Sequence, residues 1–307
     1  MKFVTYDYKG RESIGILENN SILNFENIFK EIGEKNPPET MLQLIEYLDN
    51  SKLNVIKQVL KNKSSQAVPL DMVKLKAPIP YPKRNVFCLG KNYEEHAREI
   101  KLTKIAGNGI PDEPIYFTKV ASPAIGNGYF VEFSKEVTAQ VDYEVELGVV
   151  IGKDGSNIKK EKVEDYIFGY TIINDISARD LQGRHIQWFK GKSLDTFCPM
   201  GPCIVHKSAI PFPVKLDIRC LVNGEVRQNS NTKNLIFDIP YIVSDLSKGL
   251  TLKAGDIIST GTPHGVGMGF NPIKVLEHGD RVECYIEKIG YLVNAVMDTS
   301  VENISGK

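Results

Sequence analysis

The chain lacks an excess of charge of either sign, and this narrows the range of its partners. Its 307 residues include 38 lysines and arginines and 38 aspartates and glutamates. A protein that binds nucleic acid or an anionic membrane by long-range electrostatics usually carries a basic excess. The even balance therefore predicts that neither nucleic acid nor a membrane surface is a partner.

Long apolar runs and paired cysteines are also missing. No apolar stretch approaches the roughly 20 residues that span a bilayer, and the beginning MKFVTYDYKGRES has no apolar segment of a secretory signal. The five cysteines form no Cys-x-x-Cys pair and are odd in number, which is typical of reduced thiols in a cytosolic protein. We therefore expect a cytoplasmic protein whose cysteines are mostly small core residues.

Short strand-like segments separated by glycine, proline and asparagine make up most of the chain. Residues 1–36 alternate as short strands do, and apolar positions at helical spacing follow over 38–61. The polar segment KNKSSQAVPLD is typical of a linker, so we predict a small N-terminal α+β domain over 1–72 and a larger domain over 73–307. Many short strands and few helices predict an α+β, β-dominated barrel or roll for the larger domain, not a doubly wound sheet.

Two glutamates lead into the most strand-like segment, VDYEVELGVVIGKDG. Glu144 and Glu146 are two positions apart, so on a strand both side chains point to one face, roughly 6.5–7 Å apart. Burial of two like charges without a partner is unfavourable, and a hard divalent cation would relieve it. The alternative is an edge strand whose glutamates face water.

A third carboxylate ends another β-branched run, GYTIINDISARDLQ. If a helix starts at Asp175, this residue is either its N-cap, with Ser177 as a competing cap, or an oxygen ligand that joins the two glutamates. Arg179 and Gln182 would then lie four and seven positions later on one helix face. Such a face can present a guanidinium and an amide to an anionic substrate.

Two further segments offer groups for a substrate. Lys192 is followed by SLDTFCP, which is too apolar for a free surface loop, so we expect the lysine to point inward. The segment STGTPHGVGMGF (residues 259–270) is rich in glycine but matches neither a Walker A loop nor a dinucleotide loop. Its backbone N–H groups around Gly261, together with Thr262, suit a substrate carboxylate, and a tight connection between strands is the equal alternative.

A histidine and a glutamate three positions apart suggest a general base. In GKNYEEHAREI, His96 and Glu99 share a face if the segment is helical, and the carboxylate can then orient the imidazole. The alternative is a solvated helix face with an ordinary side-chain pair. The segment KLTKIAGNGIPDEP that follows contains glycines and prolines, so the helix could act as a lid that delivers His96 when substrate is bound.

Taken together, these segments resemble the fumarylacetoacetate hydrolase superfamily. The matching pieces cover about residues 84–297 and are GKNYEEHAREI, PIYFTKVASPAI, VDYEVELGVVIG, GYTIINDISARDLQ, GKSLDTFCPMGP and STGTPHGVG. The resemblance implies a mixed β-roll that binds one divalent cation, Mg²⁺ or Mn²⁺, through Glu144, Glu146 and Asp175. It also implies a catalytic lid dyad of His96 and Glu99.

The resemblance further implies an activity. Substrate residues would be Arg179, Gln182, Lys192, Gly261 and Thr262, with Lys192 also taking part in catalysis. The family is usually homodimeric, and the chain is most similar to bacillus-type 2-hydroxyhepta-2,4-diene-1,7-dioate isomerases, some of which decarboxylate oxaloacetate. We therefore expect an enzyme that cleaves a C–C bond of a small 2-oxo acid through an enolate stabilised by the metal, by oxaloacetate decarboxylation or acylpyruvate hydrolysis.

Two alternatives stay open at this point. One is isomerisation or decarboxylation of hydroxymuconate-type intermediates in aromatic catabolism, as by a 2-hydroxyhepta-2,4-diene-1,7-dioate isomerase or a 5-oxopent-3-ene-1,2,5-tricarboxylate decarboxylase. The other is a non-catalytic regulator that binds a 2-oxo acid. The sequence contains every expected ligand and dyad residue, which favours an enzyme.

Overall fold

The computed structural model describes residues 1–61, 67–99 and 109–302. The predicted linker therefore lies partly outside the described residues, at 62–66. The segment predicted to tether the His96 helix, residues 101–114, lies outside them over 101–108.

Strands are the main elements of the described chain, as the sequence predicts. In chain order they are β1 (Lys2–Tyr8), β2 (Arg11–Glu18), β3 (Ser21–Asn24), β4 (Ala67–Pro69), β5 (Lys74–Leu75), β6 (Val86–Gly90), β7 (Ile115–Lys119), β8 (Phe130–Phe133), β9 (Val141–Asp142), β10 (Val145–Ile151), β11 (Ile167–Asn174), β12 (Ser177–Ala178), β13 (Met200–His206), β14 (Asp217–Val222), β15 (Glu225–Asn231), β16 (Ile257–Ser259), β17 (Arg281–Ile286) and β18 (Gly290–Asp298).

The helices are short and lie between these strands. They are α1 (Phe25–Glu31), α2 (Met41–Tyr47), α3 (Asn50–Lys61), α4 (Glu94–Glu99), α5 (Val163–Tyr166), α6 (Arg179–Arg184), α7 (Phe189–Lys192), α8 (Ile239–Leu246) and α9 (Thr299–Glu302). None of the helices in the described ranges is long and apolar enough to cross a membrane. The β-dominated α+β class predicted from the sequence is confirmed.

A large mixed sheet forms the centre of the molecule. Its strands follow the order β4-β3-β2-β1-β13-β11-β10-β16-β6-β7, and β5 pairs with β1. The central pair, β10 and β11, is antiparallel and buried at every position, because both strands are runs of apolar and β-branched residues covered on both faces. This pairing brings the start of β10 and the end of β11 together, with Val145 opposite Asn174.

The N-terminal strands continue this sheet. Phe3 of β1 lies opposite Ile204 of β13, so the sheet passes from the N-terminal unit into the rest of the chain. Helices α1–α3 cover one face of it, and their apolar residues share a core with Phe168 of β11. The domain boundary between residues 72 and 73 stays a prediction, and both the sheet and this core cross it.

A second sheet packs on the other face of the central strands. Its order is β15-β14-β17-β18-β8, and β17 and β18 alternate buried and partly exposed residues as a sheet with one covered face does. The five cysteines are all buried and free, as expected. Between the two sheets lies the larger apolar core, which positions the ends of β10 and β11.

The predicted helix start at Asp175 is wrong. Helix α6 begins four residues later, after Ala178, because Ser177 and Ala178 first form β12 with β9. Asp175 therefore caps no helix, and its side chain is used elsewhere. Arg179 and Gln182 still share a helix face, since Arg179 Nη1 donates to Gln182 Oε1 at 3.0 Å.

Candidate metal centre and active site

Three carboxylates meet where β10 begins and β11 ends. Glu144 and Glu146 flank the first residue of β10, and Asp175 follows β11 directly, with its backbone N–H donating to Glu144 O at 2.8 Å. One carboxylate oxygen from each side chain lies within 4.8 Å of the others, and all three residues are buried. The alternative of solvated glutamates on an edge strand is therefore wrong.

Two of these carboxylates are held by cations. Lys192 Nζ donates to Glu144 Oε2 at 2.7 Å and to Asp175 Oδ2 at 2.6 Å, so the expectation that this lysine points inward is confirmed. Arg179 Nη2 lies 2.7 Å from Glu144 Oε1, close enough for an ion pair but outside hydrogen-bond geometry. Burial disfavours ionisation of Glu144, but Lys192 and Arg179 outweigh it and lower its pKa to about 2.

A second buried lysine supports Asp175. Lys119 ends β7 with no exposed surface, and its Nζ lies 2.9 Å from Asp175 Oδ1, outside hydrogen-bond geometry. The same ammonium donates to the carbonyls of Ile176, Lys192 and Phe197, at 2.9, 2.5 and 2.6 Å. Lys119 therefore fixes both Asp175 and the segment that carries Lys192.

Glu146 has neutral partners. Its Oε2 accepts from Ser259 Oγ at 2.5 Å and from the Gly261 N–H at 3.0 Å. Burial, followed by the negative charges of Asp175 and Glu144, raises the pKa of Glu146 well above its ordinary value. The centre thus holds a carboxylate that would ionise readily only beside an added positive charge.

The residues present fit a divalent cation. With Glu146 ionised, the four buried carboxylates (Asp142, Glu144, Glu146 and Asp175) would exceed the three buried cations Lys119, Arg179 and Lys192 by one negative charge. Hard oxygen ligands of this kind suit Mg²⁺ or Mn²⁺. With a divalent cation bound, the network would become net positive and would attract an anionic substrate.

The predicted dyad is present on α4. His96 Nδ1 lies 3.3 Å from Glu99 Oε2, and the histidine is buried, so the alternative of a solvated helix face is wrong. The Gly265 N–H donates to both oxygens of Glu99, at 3.1 and 3.2 Å. The carboxylate is thus held between the imidazole and the Gly-rich loop.

His96 of the dyad and the two glutamates of the carboxylate centre face one cavity of about 370 Å³. Its lining includes His96, Glu144, Glu146, Arg179, Gln182, Lys192 and Thr262. The aromatic rings of Phe117 and Trp188 also line it. Seven of the ten site residues predicted from the sequence therefore line one cavity. The other three contact residues of this lining: Asp175 lies beside Glu144 and Glu146, the Gly261 N–H donates to Glu146, and Glu99 lies beside His96.

The Gly-rich loop holds protein carboxylates in this structure. Thr262 Oγ1 donates to Val145 O at 2.9 Å and accepts from Gln228 Nε2 at 2.8 Å. The N–H groups of Gly267 and Met268 donate to Asp142, at 2.7 and 3.0 Å. The substrate contacts of Gly261 and Thr262 stay a prediction.

Sequence reasoning missed two residues of this candidate site, Lys119 and Asp142. Asp142 Oδ2 accepts from Arg179 Nε at 2.9 Å and so orients the guanidinium toward Glu144. The alternation Asp142-x-Glu144-x-Glu146 could have indicated Asp142, since on a strand it places a third carboxylate on the same face as the pair. Lys119 gave little sign beyond a lysine at the end of an apolar strand.

Comparison with known proteins agrees with this arrangement. The family model described as fumarylacetoacetate (FAA) hydrolase C-terminal matches residues 85–297. The oxaloacetate tautomerase YisK of Bacillus subtilis is 45% identical over 304 residues, which cover 96% of this chain and 100% of that protein.

Solved structures show the same fold over nearly the whole chain. A fumarylacetoacetate hydrolase from Exiguobacterium antarcticum has a TM-score of 0.81 at 37% identity, covering 97% of this chain and 99% of its own. The maleylpyruvate hydrolase of Sphingobium sp. SYK-6, in complex with manganese(II) and pyruvate, has a TM-score of 0.75 at 29% identity, with coverage of 97% and 99%. With its carboxylate triad and its dyad on a shared cavity, this chain belongs to the fumarylacetoacetate hydrolase family.

Proposed function

We propose that this protein is a divalent-metal-dependent enzyme that acts on a small 2-oxo dicarboxylate, with oxaloacetate as its substrate, through an enolate. The observation that carries the proposal is the shared cavity, in which a three-carboxylate centre faces a histidine held by a glutamate. A centre that stabilises an enolate and a base that moves the adjacent proton are together what such chemistry needs.

Glu144, Glu146 and Asp175 would hold the cation. When bound, a divalent cation, Mg²⁺ or Mn²⁺, polarises the 2-oxo group and stabilises the negative charge that develops on its oxygen. The maleylpyruvate hydrolase structure with manganese(II) and pyruvate supports this assignment, because its ligands are a divalent metal and a 2-oxo acid.

The cations of the wall would bind the oxo-acid end of the substrate. Lys192 and Arg179 are buried and fixed by Glu144, Asp175 and Asp142, so their positive charges are placed before substrate arrives. Preorganised charge of this kind favours a transition state in which negative charge grows. Gln182, bound to Arg179, adds an amide group to the same wall.

His96 would move the proton. Its Nδ1 faces Glu99, so the other ring nitrogen, Nε2, is the one available to take a proton from C3 of the substrate or from water. Glu99 keeps the ring in this orientation. In hydrolysis His96 would take a proton from water. In tautomerisation it would transfer a proton between C3 and the 2-oxo oxygen, which is the enol oxygen of the product.

Keto–enol conversion of oxaloacetate is the reaction that we place first. It needs only a proton transfer beside a stabilised enolate, and the 45% identical relative is named an oxaloacetate tautomerase. The C–C cleavage expected from the sequence, oxaloacetate decarboxylation or acylpyruvate hydrolysis, would release the enolate of pyruvate, whose charge develops on the same 2-oxo oxygen. The relation to maleylpyruvate hydrolase supports cleavage as the second candidate.

The test follows both reactions of oxaloacetate at once. Freshly dissolved enol-oxaloacetate is mixed with purified protein and Mg²⁺ or Mn²⁺, and loss of enol absorbance and formation of pyruvate are recorded with and without EDTA. The Glu146→Ala variant is the matched control, since free Mn²⁺ itself decarboxylates oxaloacetate.

Three outcomes are informative. Fast loss of enol without pyruvate supports tautomerisation, and pyruvate formed above the Glu146→Ala rate supports decarboxylation. If wild type and variant behave alike in both assays, oxaloacetate is not the substrate. Acylpyruvates and hydroxymuconate-type acids would then be assayed in the same way.

A further inference from the structure

The Gly-rich loop that follows β16 donates hydrogen bonds to three carboxylates of the site. Ser259 Oγ and the Gly261 N–H donate to Glu146, and the Gly267 and Met268 N–H groups donate to Asp142, which orients Arg179. Between these two points, the Gly265 N–H donates to Glu99. The last residue of β16 and the loop after it, residues 259–269, therefore contact a carboxylate of the proposed metal centre, the partner of the proposed substrate-binding arginine and the dyad.

Gly269 leaves the space that the Glu99 carboxylate occupies. A Cβ built on Gly269 would overlap the Oε1 and Cδ atoms of Glu99 and would lie 2.6 Å from its Cγ. These are the three nearest atoms, so the side chain of Glu99 is what a larger residue would displace first. By contrast, a Cβ on Gly265, whose φ is +98°, would collide with the backbone carbonyl of Arg227 and would distort the loop itself.

We propose that residues 265–269 are the seat of the dyad carboxylate, with the Gly265 N–H as its donor and Gly269 as the position that leaves it room. Gly269 is on this view a positioning residue that acts on His96 through Glu99. The same loop also donates to Glu146 and Asp142. It therefore fixes the position of the dyad relative to the carboxylate centre. The inference rests on the proposed function only in assigning a catalytic role to the dyad.

The experiment is a double-mutant cycle of Gly269→Ala and Glu99→Ala. We expect Gly269→Ala to lower kcat/KM for the identified substrate by roughly 10²-fold, the cost of a small misplacement of a catalytic group. In the Glu99→Ala background the added methyl group has nothing to displace, so Gly269→Ala should cost little more. The pH profile of kcat/KM should change in the same way in both single variants.

Hydrogen exchange gives a readout that does not depend on turnover. The Gly265 N–H is bonded to a carboxylate in the wild type, so its exchange should be faster in Gly269→Ala and in Glu99→Ala, by about tenfold for one such bond. Melting curves identify any variant that fails to fold. If Gly269→Ala fails to fold, the exchange rate of Gly265 in Glu99→Ala still tests whether this N–H holds the carboxylate, and an unchanged rate overturns the proposal.

The outcomes separate this inference from the proposed function. An equal loss from Gly269→Ala with and without Glu99, or unchanged exchange at Gly265 in Glu99→Ala, would overturn the seat. Full activity of Glu99→Ala, with faster exchange at Gly265, would retain the seat and remove the dyad from the proposed mechanism.

Discussion

Under helices α1–α3 the chain buries aromatic rings, and at the ends of β10 and β11 it buries ions. Phe3, Phe25 and Phe29 form a chain of ring contacts with centroids 6.0 and 5.3 Å apart. The second region packs seven charged side chains against one another in an equally closed space. The first is stabilised by removing apolar surface from water, whereas the second depends on each charge keeping its partner.

This difference indicates which of the two regions is suited to bind a ligand. An apolar core is complete as folded, because dispersion and burial need no further ligand. The charged network has one carboxylate more than it has buried cations, and burial raises the pKa of one of these carboxyls, Glu146. Its composition therefore calls for a cation, and the predictions below test whether the two regions differ in this way.

The largest effect is expected when a carboxylate of the centre is removed. Glu146→Ala should abolish metal-dependent turnover. Loss of a side chain that only supports a metal ligand costs roughly 10–100-fold in metal affinity or activity, and loss of a ligand itself should cost more. Calorimetric titration with Mn²⁺ should show the corresponding loss of affinity. Glu277→Ala, at an exposed glutamate, is the matched control. Unchanged Mn²⁺ affinity in Glu146→Ala would remove this residue from the centre.

The next effect concerns the dyad. His96→Ala should lower kcat by roughly 10²–10⁴-fold, because the general base is lost, and should leave Mn²⁺ affinity within a few-fold of wild type. His185→Ala, at an exposed histidine outside the cavity lining, provides the comparison. Normal turnover in His96→Ala would assign proton transfer to another group.

A pair of variants compares the two regions directly. Phe29→Ala should lower the free energy of unfolding by about 3–5 kcal/mol through cavity formation, with kcat of the folded fraction retained. Lys119→Met should cost a similar ~3–5 kcal/mol, because Asp175 loses a buried partner, and should also lower kcat. Denaturant melts and kinetics at matched folded fraction give both quantities. If Lys119→Met lost stability alone, its role would be that of an ordinary core residue.

The smallest effect is a pH dependence in the apolar region. Burial, with the nearby N-terminal ammonium, lowers the pKa of His206 to about 4. Because the folded value lies below that of the unfolded chain, the stabilisation is present above about pH 6.5 and is lost as the pH falls toward 4, ~3 kcal/mol at most. His206→Gln, which can still accept from the Ser208 N–H, should reduce this slope in urea melts between pH 4 and 7. An equal slope in both proteins would assign the acid sensitivity to other groups.

What the sequence determined by itself is the local part of the site. The two-residue period of a strand places Glu144 and Glu146 together, and the three-residue spacing on a helix places His96 beside Glu99. The inward direction of Lys192 followed from the apolar residues after it. The start of α6 was misplaced, because competition between a helix cap and a short strand pair at Ser177 depends on the distant β9.

Tertiary structure alone decided which distant charges meet. Lys119 reaches Asp175 over 56 positions of sequence, and Gly265 reaches Glu99 over 166, through the pairing of strands that no local pattern specifies. The tertiary structure also places the N–H groups of the Gly-rich loop against protein carboxylates. Side-chain direction is set by the period of each element, but the partners of a buried charge are set by sheet order and packing, and these long-range contacts complete the site.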